Sequence, residues 1–155
     1  MHFFIAIVAG VCTSHCCYSK YVEFNMIRIA FPYIEISRVL GVAPKRVWQL
    51  LTDTFTWDDW GPSVLTVRSS DRFIKKGSYG RVKTALRFWV PFEITDFDSG
   101  NYWSWRISGI HATGHRIERL DESSCRLVFQ VPFWAAPYLV VCKIALDRIV
   151  RLLNR

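Results

Sequence analysis

The chain has 155 residues, of which 51% are hydrophobic and 21% are charged. This length suits one ordinary domain, and this balance is typical of a globular protein, which excludes a chain that is disordered throughout. Subtracting 13 acidic from 20 basic residues leaves a formal charge of +7, which favours anionic partners.

Residues 1–25 are predicted to be an extension without a stable fold, because they show no sustained period of 2 or 3.6. The apolar run at residues 3–12 would rise about 15 Å as a helix, too short for a hydrocarbon core of roughly 30 Å. It has the length of a signal-peptide core, but no Lys or Arg precedes it and no clean cleavage site follows. We prefer Met26 as the natural start and a cytoplasmic protein; export or membrane association is the alternative if this run is a genuine signal.

The five cysteines do not indicate a disulfide framework or a zinc site. Cys12, Cys16 and Cys17 crowd the N-terminus without paired C-x₂-C spacing, and Cys125 and Cys142 stand alone. The sequence also contains no Gly-rich phosphate loop and no nucleophile elbow. We therefore expect neither a metal nor a cofactor.

Residues 26–155 are predicted to form one domain that begins with a half-buried strand at residues 33–42. Ile34 and Ile36 alternate there with Glu35 and Ser37, and Arg38 is the exception. Two short helices follow. The first starts at Pro44 and reaches residue 53, and the second places two Trp residues at 57 and 60.

Alternating stretches separated by turn residues occupy the chain from residue 63 to residue 133 and predict an antiparallel meander of five or six strands. With the first strand, the sheet has about six or seven. A long amphipathic helix then runs from Pro137 to about Leu153. Its apolar stripe is formed by Leu139, Cys142, Leu146, Ile149 and Leu153. The fold class is therefore α+β, because the sheet and the helix must bury their apolar faces against each other.

Basic residues concentrate between residues 68 and 87, where seven Lys and Arg meet only Asp71, a net charge of 7 − 1 = +6. This basic patch could attract a membrane surface or a protein partner. The alternative is that these are outward strand positions, which charge keeps soluble. Nucleic-acid binding is not expected, because charge alone would support it, without a recognition helix or an aromatic-basic RNA motif.

Several motifs resemble the polyketide cyclase/dehydrase and lipid transport branch of the START-like (SRPBCC) superfamily. They are V-A-P-K-R-V-W-Q-L-L-T-D (42–53), W-x-x-W-G-P (57–62), G-S-Y-G-R-V (77–82), W-V-P-F-E-I-T-D-F (89–97), W-S-W-R-I-S-G (103–109) and A-T-G-H-R-I-E (112–118). The resemblance implies a helix-grip fold, with a curved antiparallel sheet wrapped around the long C-terminal helix. It further implies a cavity between sheet and helix that holds a lipid, polyketide, hormone or quinone-like molecule.

We therefore predict a protein that binds a small hydrophobic molecule, with peripheral membrane contact as a further possibility; the sequence leaves the oligomeric state open. The predicted lining residues are Trp60, Thr84, Leu86, Trp103, Trp105, Thr113, His115, Phe129, Leu139, Cys142 and Leu146. Trp103 and Trp105 would suit a stacking wall or a packed core equally well.

The alternative function is a polyketide cyclase or dehydratase that uses the same cavity. Ring closure needs an acid or base beside an apolar wall, and His115 shares its strand parity with Thr113 and Ile117. The competing interpretation is an exposed or backbone-bonded strand histidine. His111 lies in a predicted turn and ranks lower, and Glu93 and Arg87 could reach the cavity mouth. The resemblance implies no catalytic set, since no invariant one defines the superfamily.

Overall fold

The computed structural model describes residues 25–155, so the predicted extension lies outside the described residues except for Asn25. The strands are β1 (Met26–Ala30), β2 (Tyr33–Leu40), β3 (Val64–Ser69), β4 (Tyr79–Thr84), β5 (Trp89–Asp98), β6 (Tyr102–Ile107), β7 (Ile110–Arg119) and β8 (Cys125–Pro132). The helices are α1 (Pro44–Thr52), α2 (Trp57–Trp60) and α3 (Leu139–Leu153), with 3₁₀ segments at Thr54–Thr56 and Phe133–Tyr138. The predicted α+β helix-grip class is confirmed.

The eight strands form one antiparallel sheet in the order β1-β2-β8-β7-β6-β5-β4-β3. The meander has six strands, and β1 is the strand that the sequence analysis missed. Met26, Ile27 and Ile29 of β1 are all more than half exposed. In β1 only Ile27, Arg28 and Ile29 alternate, which is too short a stretch to predict a strand from the sequence.

Irregular pairing bends the sheet so that it can enclose other elements. The register between β5 and β6 shifts at Ile94/Asp96, and the register between β6 and β7 shifts at Ser104/Arg106. Bulges of this kind increase the local twist and bend a strand. The sheet therefore curves around β6, which lies near its centre.

Helix α3 packs into this curve with the predicted apolar stripe. Cys142, Leu146, Ile149 and Leu153 are buried, and Ala145 joins them. Arg38, the polar exception on the inward face of β2, is buried and its Nη1 donates a hydrogen bond to Asp147 Oδ1 of α3 at 2.5 Å. This partly buried ion pair ties the helix to the sheet, and it explains why a charged residue occupies an inward strand position.

Helix α3 begins two residues later than predicted, because the chain from residue 133 to residue 138 forms a 3₁₀ segment. Ala135 leaves helical geometry within this segment (φ −103°, ψ 24°). The segment crosses the sheet at the end where β2 begins and β8 ends, since Tyr33 pairs with Pro132. A 3₁₀ segment, and not a regular helix, therefore covers that end of the sheet.

Candidate functional site

A cavity of about 400 Å³, here called the main cavity, lies between the sheet and the Phe133–Tyr138 segment. Its walls come from β4, β5, β6, β7, the end of β8, the start of β3 and the residue before it. It is lined by Ser63, Val64, Val82, Thr84, Ala85, Leu86, Phe88, Val90, Trp105, Ile107, Ala112, Thr113, Val131, Pro132, Trp134, Ala135 and Tyr138. None of these side chains is charged, and most are aliphatic or aromatic.

The main cavity opens to solvent between the β4–β5 turn and the 3₁₀ segment. Leu86 lines it from the turn and is 79% exposed, and Trp134 lines it from the segment and is 70% exposed. Deeper in the cavity, Val82 is 3% exposed and Val131 is fully buried. The cavity is therefore an apolar pocket that is open to solvent at this end.

The hydroxyl groups on the cavity wall are already hydrogen-bonded within the protein. Ser63 Oγ and Tyr138 Oη lie 2.6 Å apart, and Trp105 Nε1 donates to Thr113 Oγ1 at 3.0 Å. Burial raises the pKa of Tyr138, so its phenol is neutral at pH 7. A charged ligand group would lose its hydration here without gaining a counter-charge, which favours a neutral and mostly apolar guest.

A second, much smaller cavity lies behind the first and shares Ser63, Val64, Trp105, Thr113 and Tyr138 with it. Its volume is about 30 Å³, which is the room that one water molecule occupies in the liquid. Trp60, His115, Phe129 and Cys142 line only this small cavity. An organic ligand confined to the main cavity would contact the five shared residues and not these four.

His115 faces the helices, and its ring is packed among aromatic rings. It is 3% exposed, and its ring stacks on Trp103 at a centroid distance of 3.9 Å. Burial lowers the pKa of His115 to about 3, although a hydrogen bond with the Trp103 backbone opposes part of this shift. The imidazole is therefore neutral at pH 7 and is a weak base, a poor match for general acid or base catalysis near that pH.

Trp103 lies in the packed part of the core, outside both cavities. Its indole is fully buried between Trp57, which stacks on it at 5.5 Å and 1° interplanar angle, and His115. Leu146 is also fully buried, and Leu139 packs against the core without lining either cavity. No α3 residue lines the main cavity, because the 3₁₀ segment stands between that helix and the open end.

Of the predicted lining residues, the structure thus places Thr84, Leu86, Trp105 and Thr113 at the main cavity. Trp134, Ala135 and Tyr138 also line the cavity but were not predicted, because they belong to a 3₁₀ segment that has no sequence period. Inward strand residues such as Val82 and Val90 were not predicted either. Strand parity could have identified Val82, because it alternates in phase with Thr84 and Leu86.

The remaining polar candidates do not line the main cavity. Glu93 is exposed on the outer face of the sheet, paired with Tyr79 on β4 and Arg106 on β6. His111 lies in β7 and not in a turn, and its Nε2 is 3.3 Å from Tyr33 Oη. Arg87 sits exposed in the β4–β5 turn with φ 68°.

Within residues 25–155, no three His, Cys, Asp or Glu side chains are grouped so that they could hold a metal ion. None of the helices in that range is both long and apolar enough to cross a membrane.

Solved structures with the same fold share little sequence with this chain. A crystal structure of a protein from Mesorhizobium loti has a TM-score of 0.64 and 11% identity, covering 79% of this chain and 97% of the other. A conserved protein of unknown function from Enterococcus faecalis has a TM-score of 0.59 and 16% identity, covering 83% and 75%. At such identities the likeness concerns the fold alone.

Among curated proteins, none is significantly similar in sequence. The model of one family, polyketide cyclase/dehydrase and lipid transport, matches residues 33–150. This range takes in both cavities, all three helices except the end of α3, and every strand except β1. It covers more than half of the chain, so this protein belongs to the polyketide cyclase/dehydrase and lipid transport family.

Proposed function

We propose that this protein binds one small, neutral, hydrophobic molecule in the main cavity. The observation that carries the proposal is a cavity of about 400 Å³ whose lining contains no charged side chain. Pockets for small molecules have volumes of roughly 300–1,000 Å³, and most of their lining is apolar with a few polar groups. The main cavity meets both conditions near the lower end of that range.

The chemistry of the guest follows from the cavity wall. Apolar groups of the ligand would contact Val82, Val90 and Ile107. The apolar surface that this contact removes from water favours binding by about 25 cal/mol per Å². The Trp105 indole could pack against a flat ring. The Thr113 and Tyr138 hydroxyls leave room for one or two hydrogen bonds to a carbonyl or hydroxyl group, which suits a polyketide, a quinone or a single acyl chain.

The proposal is a binding protein and not a cyclase. An enzyme working in the main cavity would need an acid or base within reach of the substrate. His115 lines only the small cavity, and its pKa is lowered to about 3. The titratable side chain that lines the main cavity is Tyr138, whose pKa is raised, so it can hydrogen-bond a carbonyl but gives up its proton reluctantly at pH 7.

The test is a titration with N-phenyl-1-naphthylamine, a neutral apolar dye whose fluorescence rises in dry pockets. Val90 lines the cavity, so Val90→Phe fills part of it and should weaken dye binding roughly tenfold or more. Val140 is 64% exposed on α3 and lines neither cavity, so Val140→Phe is the matched control and should bind like the wild type.

Native mass spectrometry of the purified wild type and Val90→Phe would then look for a co-purified molecule. We expect a bound mass in the wild type that is lost or reduced in the variant. A wild-type protein that binds no dye, or a Val90→Phe variant with unchanged affinity, would show that the main cavity is not a binding site.

A further inference from the structure

Large apolar side chains that are exposed to solvent surround the open end of the main cavity. This group, here called the mouth rim, consists of Phe31 (83% exposed), Leu86 (79%), Phe88 (52%), Phe133 (53%) and Trp134 (70%). Phe31 in the β1–β2 turn contacts Phe133 at a ring distance of 6.3 Å, and Leu86, Phe88 and Trp134 line the cavity. A contiguous exposed apolar surface of this kind marks an interaction site.

A basic surface adjoins the mouth rim on the outer side of the same strands. Arg81 and Lys83 alternate along β4 with Val82 and Thr84, which line the cavity, so the two basic residues face away from it. Arg68 is the β3 partner of Arg81, and its guanidinium lies 4.9 Å from the centre of the Trp89 ring.

Arg87 extends this basic surface to the rim itself, because it lies between Leu86 and Phe88 in the β4–β5 turn. No other described residue forms an ion pair with Arg68, Arg81, Lys83 or Arg87. By contrast, Arg72 and Lys75 of the predicted basic patch pair with Asp53 and Asp71. These four cations are therefore free to meet an external anion.

We propose that the mouth rim docks the protein on the surface of an anionic lipid bilayer. Apolar and aromatic side chains such as Leu86 and Trp134 would enter the interface, where Trp is favoured, and the four cations would contact anionic headgroups. Docking in this way points the open end of the cavity at the hydrocarbon. A ligand of the proposed apolar kind could then enter without crossing water, a consequence that rests on the proposed function.

A second copy of the chain fits this surface less well. A symmetric dimer formed by the mouth rim would bring identical surfaces together, and so place the basic groups of one copy near those of the other. Like charges facing each other oppose association, whereas an anionic bilayer complements them. The charge beside the rim thus selects the membrane as the partner.

The charge contribution is tested by co-sedimentation of the full chain with phosphatidylcholine vesicles, with and without phosphatidylserine. Each cation near an anionic surface contributes about 1 kcal/mol, or about fivefold in affinity. Arg81→Glu with Lys83→Glu should therefore weaken binding to the anionic vesicles by about 25-fold or more. The control is Lys45→Glu, a charge reversal at an exposed residue near the start of α1, which should change the affinity for these vesicles little.

The apolar contribution is tested with Phe133→Ser, because Phe133 does not line the cavity. We expect roughly tenfold weaker vesicle binding, with dye affinity in the main cavity unchanged. The matched control is Leu120→Ser: Leu120 is 47% exposed just beyond the far end of β7 from the mouth. It should bind vesicles like the wild type.

Three outcomes would overturn the docking proposal. The first is a wild type that does not sediment with anionic vesicles, and the second is a pair of variants, the charge reversal and Phe133→Ser, that bind as well as their controls. The third is a Phe133→Ser variant that loses self-association in analytical ultracentrifugation without any change in vesicle binding. The last result would identify the rim as a contact between copies. Loss of dye binding with vesicle binding retained would instead refute only the proposed ligand site.

Discussion

The concave face of the sheet has two halves that are filled differently. In the packed half, α2 and α3 cover the strands, Trp57, Trp103 and His115 stack on one another, and the remaining cavity measures only about 30 Å³. In the open half, the six-residue segment Phe133–Tyr138 covers the strands, and a cavity of about 400 Å³ remains beneath it.

The difference shows what closes a core in this fold. A regular helix presents an apolar stripe of side chains one turn apart, and α3 fills the packed half with Cys142, Leu146 and Ile149. The 3₁₀ segment leaves Phe133 and Trp134 largely exposed to solvent, so the side chains that it turns inward are Ala135, which is small, and Tyr138, whose hydroxyl is held by Ser63. The open half therefore stays hollow because its covering element supplies too little volume, not because the sheet lacks apolar residues.

The largest expected effect on the free energy of unfolding comes from a comparison of two Trp→Ala substitutions, one in each half. Trp103→Ala in the packed half should lower the free energy of unfolding by about 3–5 kcal/mol, because it removes a fully buried indole and leaves a void. Trp134→Ala at the mouth, where the indole is 70% exposed, should change it by about 0.5 kcal/mol or less. Urea denaturation measures both, and similar losses would contradict the division into halves.

A medium effect should appear in the pH dependence of stability. His115 has a pKa of about 3 in the folded protein, below its ordinary value of 6.5. Between these two pH values the unfolded chain binds a proton at His115 and the folded chain does not. Stability present above pH 6.5 is therefore lost as the pH falls towards 3. Between about pH 7.5 and about pH 5 the expected loss from this group is about 2 kcal/mol.

The measurement is urea denaturation over this pH range, above the ordinary pKa values of carboxyl groups. His115→Phe should keep an aromatic ring in the stack and flatten the pH dependence, whereas His111→Gln should leave the contribution of His115 in place. If wild type and His115→Phe lose equal stability on acidification, His115 is not the source.

The smallest expected effect on the free energy of unfolding concerns Trp105 and Thr113, which line both cavities and are hydrogen-bonded to each other. Thr113→Val keeps the shape of the side chain but leaves Trp105 Nε1 without its acceptor, which should cost about 1 kcal/mol of unfolding free energy. Thr66→Val on an exposed position of β3 is the matched control and should be nearly neutral. If Thr113→Val leaves the free energy of unfolding unchanged, the hydrogen bond between Trp105 and Thr113 does not stabilise this part of the fold.

The sequence allowed most of the fold to be predicted, because the period of apolar residues changes from 3.6 to 2 and back. The stripe on α3 and the parity of Thr113, His115 and Ile117 follow directly from that pattern. Strand β1 and the 3₁₀ segment could not be predicted from that pattern. The alternating stretch of β1 is too short, and the Phe133–Tyr138 segment is too short and irregular to have a period.

The position of the cavity was less predictable than the fold. An apolar stripe shows which face of α3 is buried but not what it is buried against, so Leu139 and Leu146 were expected at the cavity. Trp103 and Trp105 share one parity, yet a bulge beside them places one in the core and the other at the cavity wall. Such assignments depend on sheet curvature, which is set by pairing between distant segments.

Trp105 gives the protein a built-in optical reporter. Its indole lines the main cavity and also stands edge-on to Trp57 at 5.3 Å and to Trp103 at 5.8 Å. Indoles held this close couple their electronic transitions, so the near-ultraviolet circular dichroism of the trio depends on the orientation of Trp105. A guest that shifts Trp105 would alter that spectrum, so occupancy could be followed without a label or a mutation.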